Sequence, residues 1–254
     1  MNLNIWTFVI VCPLIFLAGF VDSIAGGGGV ISLPAYLIAG VPIKLAAGTN
    51  KFANGCGTAL ASYKYMKSGN IDWHCAIPAA VGSLLGSAAG SSLAVYMREE
   101  LLQMVVLTAL PLVALVLIFV KDFGKVEKPP KSRRETLVLS TVIGVAIGLY
   151  DGMIGPGAGT FLILGFTTFL GIGLVQASAC AKVSNMASNL TSVLIYALSG
   201  NVRYLIALPA ALCSIVGSYA GARVAVRGGG KRVKQFMYVV LALLFVKLVW
   251  DLVG

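Results

Sequence analysis

The stretch GFVDSIAGGGGVISLPAYLIAGVPIKLAAGTNKFAN, residues 19–54, places one carboxylate, Asp22, in an otherwise apolar run. Four glycines follow at residues 26–29, and Lys51 stands among small residues further along. The pattern returns in the second half, where GLYDGMIGPGAGTFLIL and ASACAKVSN contain Asp151 and Lys182. An unpaired charge is costly in an apolar environment. Its repetition therefore predicts a membrane protein that binds something polar.

The composition supports a membrane location. Of 254 residues, 58% are hydrophobic and 11% charged, and the mean hydropathy is +0.93, whereas soluble domains carry roughly 25% charged residues. Several apolar runs reach the roughly 20 residues that a membrane-spanning helix needs. The net charge of +10 comes mostly from two short basic loops, a pattern typical of membrane orientation signals. We therefore predict an all-α polytopic membrane protein, and we expect no nucleic-acid binding.

The chain divides into a first membrane repeat at residues 1–120, a cytoplasmic linker loop at 121–136 and a second membrane repeat at 137–254. Short segments beside the glycine runs can be re-entrant, so the prediction is about 8–10 transmembrane or re-entrant helices. The predicted segments lie at about residues 3–24, 30–41, 43–66, 71–97, 101–120, 137–150, 158–173, 175–198, 202–226 and 233–252.

A constant offset relates the two halves. It is 131 positions between Lys51 and Lys182, and the same offset matches other residues. These further pairs are Asn54 with Asn185, Tyr65 with Tyr196, Pro78 with Pro209, and Gly90 with Gly221. Asp22 and Asp151 are 129 positions apart, so the second half has gained two residues between the glycine run and the polar helix. A repeat of this kind predicts a duplicated fold.

The basic residues predict that the duplication is inverted. The central loop and the loop at residues 223–234 are both basic and should be cytoplasmic by the positive-inside rule. Lys64 and Lys67 then lie inside, whereas the equivalent loop of the second half is nearly uncharged and lies outside. Such a reversal of the side on which equivalent loops lie is typical of inverted-topology repeats. It predicts that both termini face outward.

The polar residues predict an anion site between the halves. Lys51, Asn54 and Thr58 share one helix face, and Lys182, Asn185 and Asn189 repeat it. A lysine within the membrane normally faces a partner or a polar cavity, and glycine breaks expose helix N-termini that attract anions. The predicted substrate-binding residues are Lys51, Lys182, Asn54, Asn185, Asn50, Thr49, Gly27, Gly28, Gly29, Gly157 and Gly159. Asp22 and Asp151 are assigned to coupling or to loop shaping.

The same residues can instead have purely structural roles. The two lysines can extend their amino groups to the membrane surface, the two aspartates can cap the glycine turns, and the glycines can serve packing. Tyr65 and Tyr196 are predicted to be anchors at the membrane interface. The cysteines have no paired spacing and His74 is the one histidine, so no metal site and no cofactor are predicted.

GFVDSIAGGGGVISLPAYLIAG followed by AAGTNKFAN, and YDGMIGPGAGTF followed by AKVSNMASN, resemble the two motifs of the TauE/SafE family of sulfite exporters, also called toluene sulfonate uptake permeases. The resemblance covers essentially the whole chain. It implies a multi-pass carrier in the cytoplasmic membrane of a bacterium or archaeon, moving small sulfur-containing anions such as sulfite or sulfonates by ion-coupled secondary transport without an ATPase. The second glycine run departs from the first in having Pro156 where the first has Gly27.

We therefore predict a secondary transporter, and not an enzyme, that moves a small anion by alternating access. The expected partners are this anion, the lipid bilayer and a proton or other coupling ion, and a homodimer is left open. Two alternatives remain at this point. One is an uncoupled small-anion channel, and the other is a membrane thiol or persulfide enzyme with Cys56 or Cys180 as its nucleophile.

Overall fold

The structure is a computed structural model that describes residues 5–106, 108, 131–153 and 155–253, with side chains described as far as residue 238. Helices account for most of these residues, and no strand occurs among them. The helices are α1 (Ile5–Ala25), α2 (Gly29–Ile38), α3 (Ile43–Lys67), α4 (Trp73–Tyr96), α5 (Arg133–Met153), α6 (Ala158–Gly165), α7 (Leu174–Leu198) and α8 (Tyr204–Val253). A further helical segment lies at residues 99–106.

Four of these helices are long and apolar enough to cross a membrane: α1, α4, α5 and the part of α8 from Tyr204 to Tyr238. Helices α3 and α7 are equally long but more polar, and α2 and α6 are short. The prediction of an all-helical polytopic membrane protein is confirmed. Most of the predicted segment at 101–120 and of the linker at 121–136 lies outside the described residues.

The boundaries of α5 and α8 follow local sequence signals. Ser132 and Glu135 form a capping box in which the Glu135 carboxylate accepts from the Ser132 backbone nitrogen at 3.0 Å and Ser132 Oγ accepts from the Glu135 backbone nitrogen at 3.3 Å. Helix α5 therefore begins inside the predicted linker loop. In α8 the backbone leaves helical geometry at Gly229, where φ is 63° and ψ is −166°. This break separates the two segments predicted at 202–226 and 233–252.

The two residues gained in the second half lie in the stretch that contains a π-helical turn, Phe166–Leu170. Helices α2 and α6 begin 129 positions apart, whereas α3 and α7 begin 131 positions apart. In a π-helical turn the hydrogen bonds join residues i and i+5 instead of i and i+4, so the turn contains more residues than an α-helical turn. The second half thus absorbs part of its extra length without moving the helix that contains Lys182.

Helix packing repeats when the two halves are exchanged. Helix α1 packs against α8, and its counterpart α5 packs against α4. Helix α3 likewise packs against α8, and its counterpart α7 packs against α4. Helices α3 and α7 also contact each other. Every one of these contacts joins the first half to the second, so neither half forms its core alone.

Glycines allow the closest of these helix pairs. A Cβ atom on Gly86 or Gly90 would overlap the carbonyl oxygen of Val145 or Leu149 in α5. In the equivalent pair, a Cβ atom on Gly217 or Gly221 would overlap the carbonyl oxygen of Phe16 or Phe20 in α1. Small residues at four-residue spacing are the usual means of close helix contact in membranes. Close helix packing through glycine therefore occurs in both halves.

Candidate functional site

Two helix breaks, one in each half, contact each other. The first joins α1 to α2 through Gly26, and the second joins α5 to α6 through Gly155. Both glycines have positive φ, 78° and 89°, which side chains of L-residues rarely tolerate. The breaks touch each other, because a Cβ atom on Gly159 would lie only 2.6 Å from Gly26 Cα. Thr160 Oγ1 donates to the Ala25 carbonyl oxygen at 2.8 Å across this contact.

Two buried ion pairs connect the halves beside these breaks. Lys51 Nζ of α3 lies 2.8 Å from Asp151 Oδ1 of α5. Lys182 Nζ of α7 lies 2.6 Å from Asp22 Oδ2 of α1. Each lysine therefore binds the aspartate of the other half, and neither lysine extends its amino group to the membrane surface. Two lysines and two aspartates, counted by their formal charges, make this cluster neutral.

Further hydrogen bonds hold the two carboxylates. Asp22 Oδ1 accepts from the backbone nitrogen of Gly28 at 3.3 Å, so Asp22 also shapes the first glycine turn. Asp151 Oδ2 accepts from the hydroxyl group of Ser188. Because both aspartates are held by a lysine and by a second donor, their positions are well determined. Breaking one such buried pair typically destabilises a protein by about 3–5 kcal/mol.

Four asparagines add amide groups next to the ion pairs. Asn54 Nδ2 donates to Asn50 Oδ1 at 3.0 Å and to Ser32 Oγ at 3.3 Å. Asn189 Nδ2 donates to Thr58 Oγ1 at 3.5 Å. Asn185 is 6% exposed, and its buried Oδ1 has no hydrogen-bond partner. An unsatisfied buried amide oxygen is uncommon in a packed core and is more typical of a site that binds something.

These groups surround a cavity between the two halves. Its lining consists of Asp22, Gly26, Gly29, Asn50, Lys51, Asn54, Asp151, Gly155, Gly159, Asn185 and Asn189. The cavity is small and partly open to solvent. Every described residue of the lining is polar or glycine. The cavity therefore suits a small, strongly hydrated ligand better than a large apolar one.

The structure separates the predicted site residues into two groups. Lys51, Asn50, Asn54, Asn185, Gly29 and Gly159 line the cavity together with the two aspartates. Lys182, Thr49, Gly27, Gly28 and Gly157 do not line it. Lys182 lies behind Asp22, and Thr49 Oγ1 accepts from the Arg203 backbone nitrogen at 3.0 Å, a contact that serves helix packing. Gly28 is occupied by its bond to Asp22.

Some residues of the site were not on the predicted binding list. Gly26, Gly155 and Asn189 line the cavity. Ser188 does not line it but donates a hydrogen bond to Asp151, which does. The glycines belong to runs that the sequence marks clearly, and Asn189 lies on the predicted polar face. Ser188 carries no such signal, because a serine in an apolar helix usually serves only helix packing.

The prediction that Tyr65 and Tyr196 anchor the protein at the membrane interface is wrong. Both side chains are fully buried. The Tyr65 hydroxyl donates to the Ser23 carbonyl oxygen at 2.9 Å, and the Tyr196 hydroxyl donates to the Gly152 carbonyl oxygen at 3.5 Å. Ser23 and Gly152 directly follow the two aspartates in the sequence. The tyrosines therefore support the ends of α1 and α5 that present Asp22 and Asp151.

Apolar helices of membrane-spanning length around a polar, charge-paired cavity define a multi-pass membrane protein of the transporter class. The chain belongs to the sulfite exporter TauE/SafE family, whose model matches residues 11–248. It is 34% identical over 236 residues to a probable membrane transporter protein of Sinorhizobium sp, covering 93% of this chain and 90% of that protein. Over 255 residues it is 30% identical to a probable membrane transporter protein of Haemophilus influenzae, covering 99% of this chain and 98% of that protein.

A third relative is the probable membrane transporter protein YfcA of Escherichia coli, 29% identical over 235 residues, or 92% of this chain and 87% of that protein. No solved structure matches the chain significantly. The family match confirms the resemblance noted from the two motifs, and the relatives' names agree with a membrane transporter.

Proposed function

We propose that the protein is a secondary transporter that moves a small sulfur-containing anion, sulfite or an organosulfonate, across the cytoplasmic membrane of a bacterium or archaeon. The observation that carries the proposal is the polar cavity between the halves, with the Lys51 ammonium group on its wall. The family description names sulfite export. The small size of the cavity agrees with a cargo of this kind.

The charges around the cavity favour coupled transport. Lys51, Lys182, Asp22 and Asp151 together are neutral, so an anion entering alone would bring an uncompensated charge into a region of low dielectric constant. A proton taken up by one aspartate removes this cost, because the cluster then has one positive charge for the anion. We therefore propose that the anion crosses together with a proton, carried by Asp22 or Asp151.

Alternating access follows from an inverted arrangement of the halves. The exchange of helix contacts between α1–α8 and α5–α4 supports a two-fold relation between the repeats, and the swapped charge bias of the loops supports its inversion. A site at the interface of inverted repeats can open first to one side and then to the other as one part moves against the other.

Two other functions have less support. An uncoupled channel would need a continuous polar path, whereas the two helix breaks touch each other directly at Gly26 and Gly159. A thiol enzyme would need a cysteine at the cavity, and none is among the described residues that line it. Cys180 is buried and lies against Cys75 and the Asp72 carbonyl oxygen.

Ligand binding by the purified protein tests the proposal. A thermal-shift panel would contain sulfite, ethanesulfonate, sulfate, thiosulfate and acetate, because a ligand that binds only the folded state raises the melting temperature. We expect sulfite or the sulfonate to give the largest shift. Proteoliposomes loaded with a pH-sensitive dye would then show anion-dependent proton movement. If none of the panel anions binds, the proposed cargo is wrong. If the anion flux is saturable but no protons move, the proposed coupling is wrong.

A further inference from the structure

The two ion pairs occupy equivalent positions of the two halves but face the cavity differently. Lys51 lines the cavity, and its side chain is 7% exposed. Lys182 does not line it, and its side chain is 0% exposed. In the second pair the exposed partner is the acid, because the Asp22 side chain is 21% exposed. The first pair therefore presents both its ammonium group and its carboxylate to the cavity, since the Asp151 side chain is also 10% exposed, whereas the second pair presents only its carboxylate.

Asp22 separates Lys182 from the cavity. Its Oδ2 atom holds Lys182 Nζ at 2.6 Å, and its Oδ1 atom is fixed by the Gly28 backbone nitrogen. The backbone of Lys182 is held from another side, because Ser62 Oγ donates to its carbonyl oxygen at 3.0 Å. An anion in the cavity would meet Asp22 before it could reach Lys182. The lysine therefore cannot contact the anion without a rearrangement of this pair.

The charges that a ligand meets directly differ from the total of the cluster. Lys51, Asp151 and Asp22 lie on the wall, whereas Lys182 lies behind it. Among the described residues, the wall thus has two carboxylates and one ammonium group, and the charge of Lys182 compensates the excess carboxylate from behind. Without Lys182, the unpaired Asp22 would repel an anion from the cavity.

We infer that the two lysines have different roles: Lys51 is the ammonium group that binds the anion, and Lys182 is a positioning residue that neutralises Asp22. This inference rests on the proposed transport of an anion through the cavity. The repeat in the sequence assigns the same anion-binding role to both lysines, whereas this inference assigns that role to Lys51 alone. It also predicts that a second substitution can repair the loss of one lysine but not of the other.

The test compares rescue in two matched pairs of variants. The single variants are Lys182→Met and Lys51→Met, and the double variants add Asp22→Asn to the first and Asp151→Asn to the second. Sulfite affinity is measured by isothermal titration on protein that elutes as a single folded species. We expect both single variants to bind sulfite about 10- to 100-fold more weakly, the range expected when a charge-assisted hydrogen bond is lost or a like charge is left unpaired.

The double variants distinguish the roles of the two lysines. Adding Asp22→Asn to Lys182→Met should raise the sulfite affinity about tenfold above that of the single variant, because it removes the repelling carboxylate. Asp151→Asn should restore little in Lys51→Met, because the binding group itself is gone. Equal rescue of both pairs, rescue of neither, or rescue of Lys51→Met alone would overturn the inference. If Lys182→Met with Asp22→Asn does not fold, Lys182→Gln with Asp22→Asn replaces it, since the two amides can hydrogen-bond to each other.

The wild-type protein separates this inference from the proposed function. If another anion of the panel binds more tightly than sulfite, the same four variants are titrated with that anion, and the expected pattern of rescue is unchanged. If no anion of the panel binds the wild-type protein, the proposed cargo is wrong and the assignment of Lys51 fails with it. A wild-type protein that binds with the wrong pattern of rescue contradicts only the division of roles.

Discussion

Asn189 Nδ2 lies 3.5 Å from Thr58 Oγ1, and 131 positions separate these two residues in the chain. The same offset relates Lys51 to Lys182, so Asn189 and Thr58 are equivalent residues that touch each other. If a two-fold axis exchanges the two halves, as proposed above, equivalent residues can meet only near that axis, and helices α3 and α7 then cross close to it. The cavity lies beside the crossing, where polar groups of both halves can reach one ligand.

The tyrosines behind the aspartates should contribute measurably to stability. Tyr65→Phe removes the hydroxyl group that donates to the Ser23 carbonyl oxygen inside the core. We expect a loss of about 1–2 kcal/mol in the free energy of unfolding, because a buried hydrogen bond is broken. Tyr196→Phe should cost less, since its contact with Gly152 is longer. Thermal unfolding in detergent measures both changes.

The control for this prediction is Tyr96→Phe, at a tyrosine that is 88% exposed. It removes the same atom from a position without a described hydrogen-bond partner, so the melting temperature should not change. An equal effect of the Tyr65 and Tyr96 variants would mean that the Tyr65 hydroxyl group is not a structural donor.

The contact between α4 and α5 should tolerate no side chain at Gly90. In Gly90→Ala the new methyl group would overlap the carbonyl oxygen of Leu149, so the two helices would have to separate. We expect a destabilisation of at least about 1–3 kcal/mol, the usual range for overpacking. Gly221→Ala, at the equivalent contact with Phe20, should behave alike. The measurement is the melting temperature together with the yield of folded protein.

Gly173→Ala is the matched control, because nothing lies within 4 Å of a Cβ atom at this glycine and its φ of −64° suits any residue. This variant should melt at the temperature of the wild-type protein or slightly above it. If Gly90→Ala is as stable as Gly173→Ala, helices α4 and α5 do not pack as closely as the Gly90 contact indicates.

The capping box at the start of α5 should hold its first turn. Ser132→Ala removes the side-chain oxygen that accepts from the Glu135 backbone nitrogen, and loss of such a cap typically costs about 1 kcal/mol of helix stability. We expect faster hydrogen exchange of the amides at residues 133–136 and unchanged exchange in α3. Ser132→Asp retains an accepting oxygen and should restore protection. Unchanged exchange in Ser132→Ala would show that this cap does not stabilise the helix.

The sequence was sufficient for the helices and for some of the residues that line the cavity. Lys51, Asn54 and Asn185 could be predicted because polar residues at helical spacing are conspicuous in an apolar chain, and because the pattern occurs twice. The partners of the charged residues could not be predicted. Either aspartate could have paired with either lysine, and only the folded structure shows that each acid binds the lysine of the other half.

Tyr65 was wrongly predicted to lie at the membrane interface for a similar reason, because its partner is distant in the sequence. A tyrosine one turn from a helix end, between Lys64 and Met66 and close to Lys67, has the composition of an interfacial residue. Its burial depends on the Ser23 carbonyl oxygen, a partner 42 positions away. The form of the two-residue gain was also unpredictable, since the offset shows that residues were added but not that a π-helical turn, Phe166–Leu170, occupies that stretch.

The inversion of the two halves can be tested at one pair of equivalent turns. Gly69 and Gly200 both have φ of 72°, and each follows a serine, Ser68 or Ser199, that ends a long helix. In a variant without native cysteines, Ser68→Cys and Ser199→Cys would be exposed separately to a maleimide that cannot cross membranes. If the repeats are inverted, intact cells should label Ser199→Cys, and Ser68→Cys should react only after the membrane is permeabilised. Labelling of both positions from the same side would show that the repeats run parallel, and the proposed mechanism of alternating access would lose its structural basis.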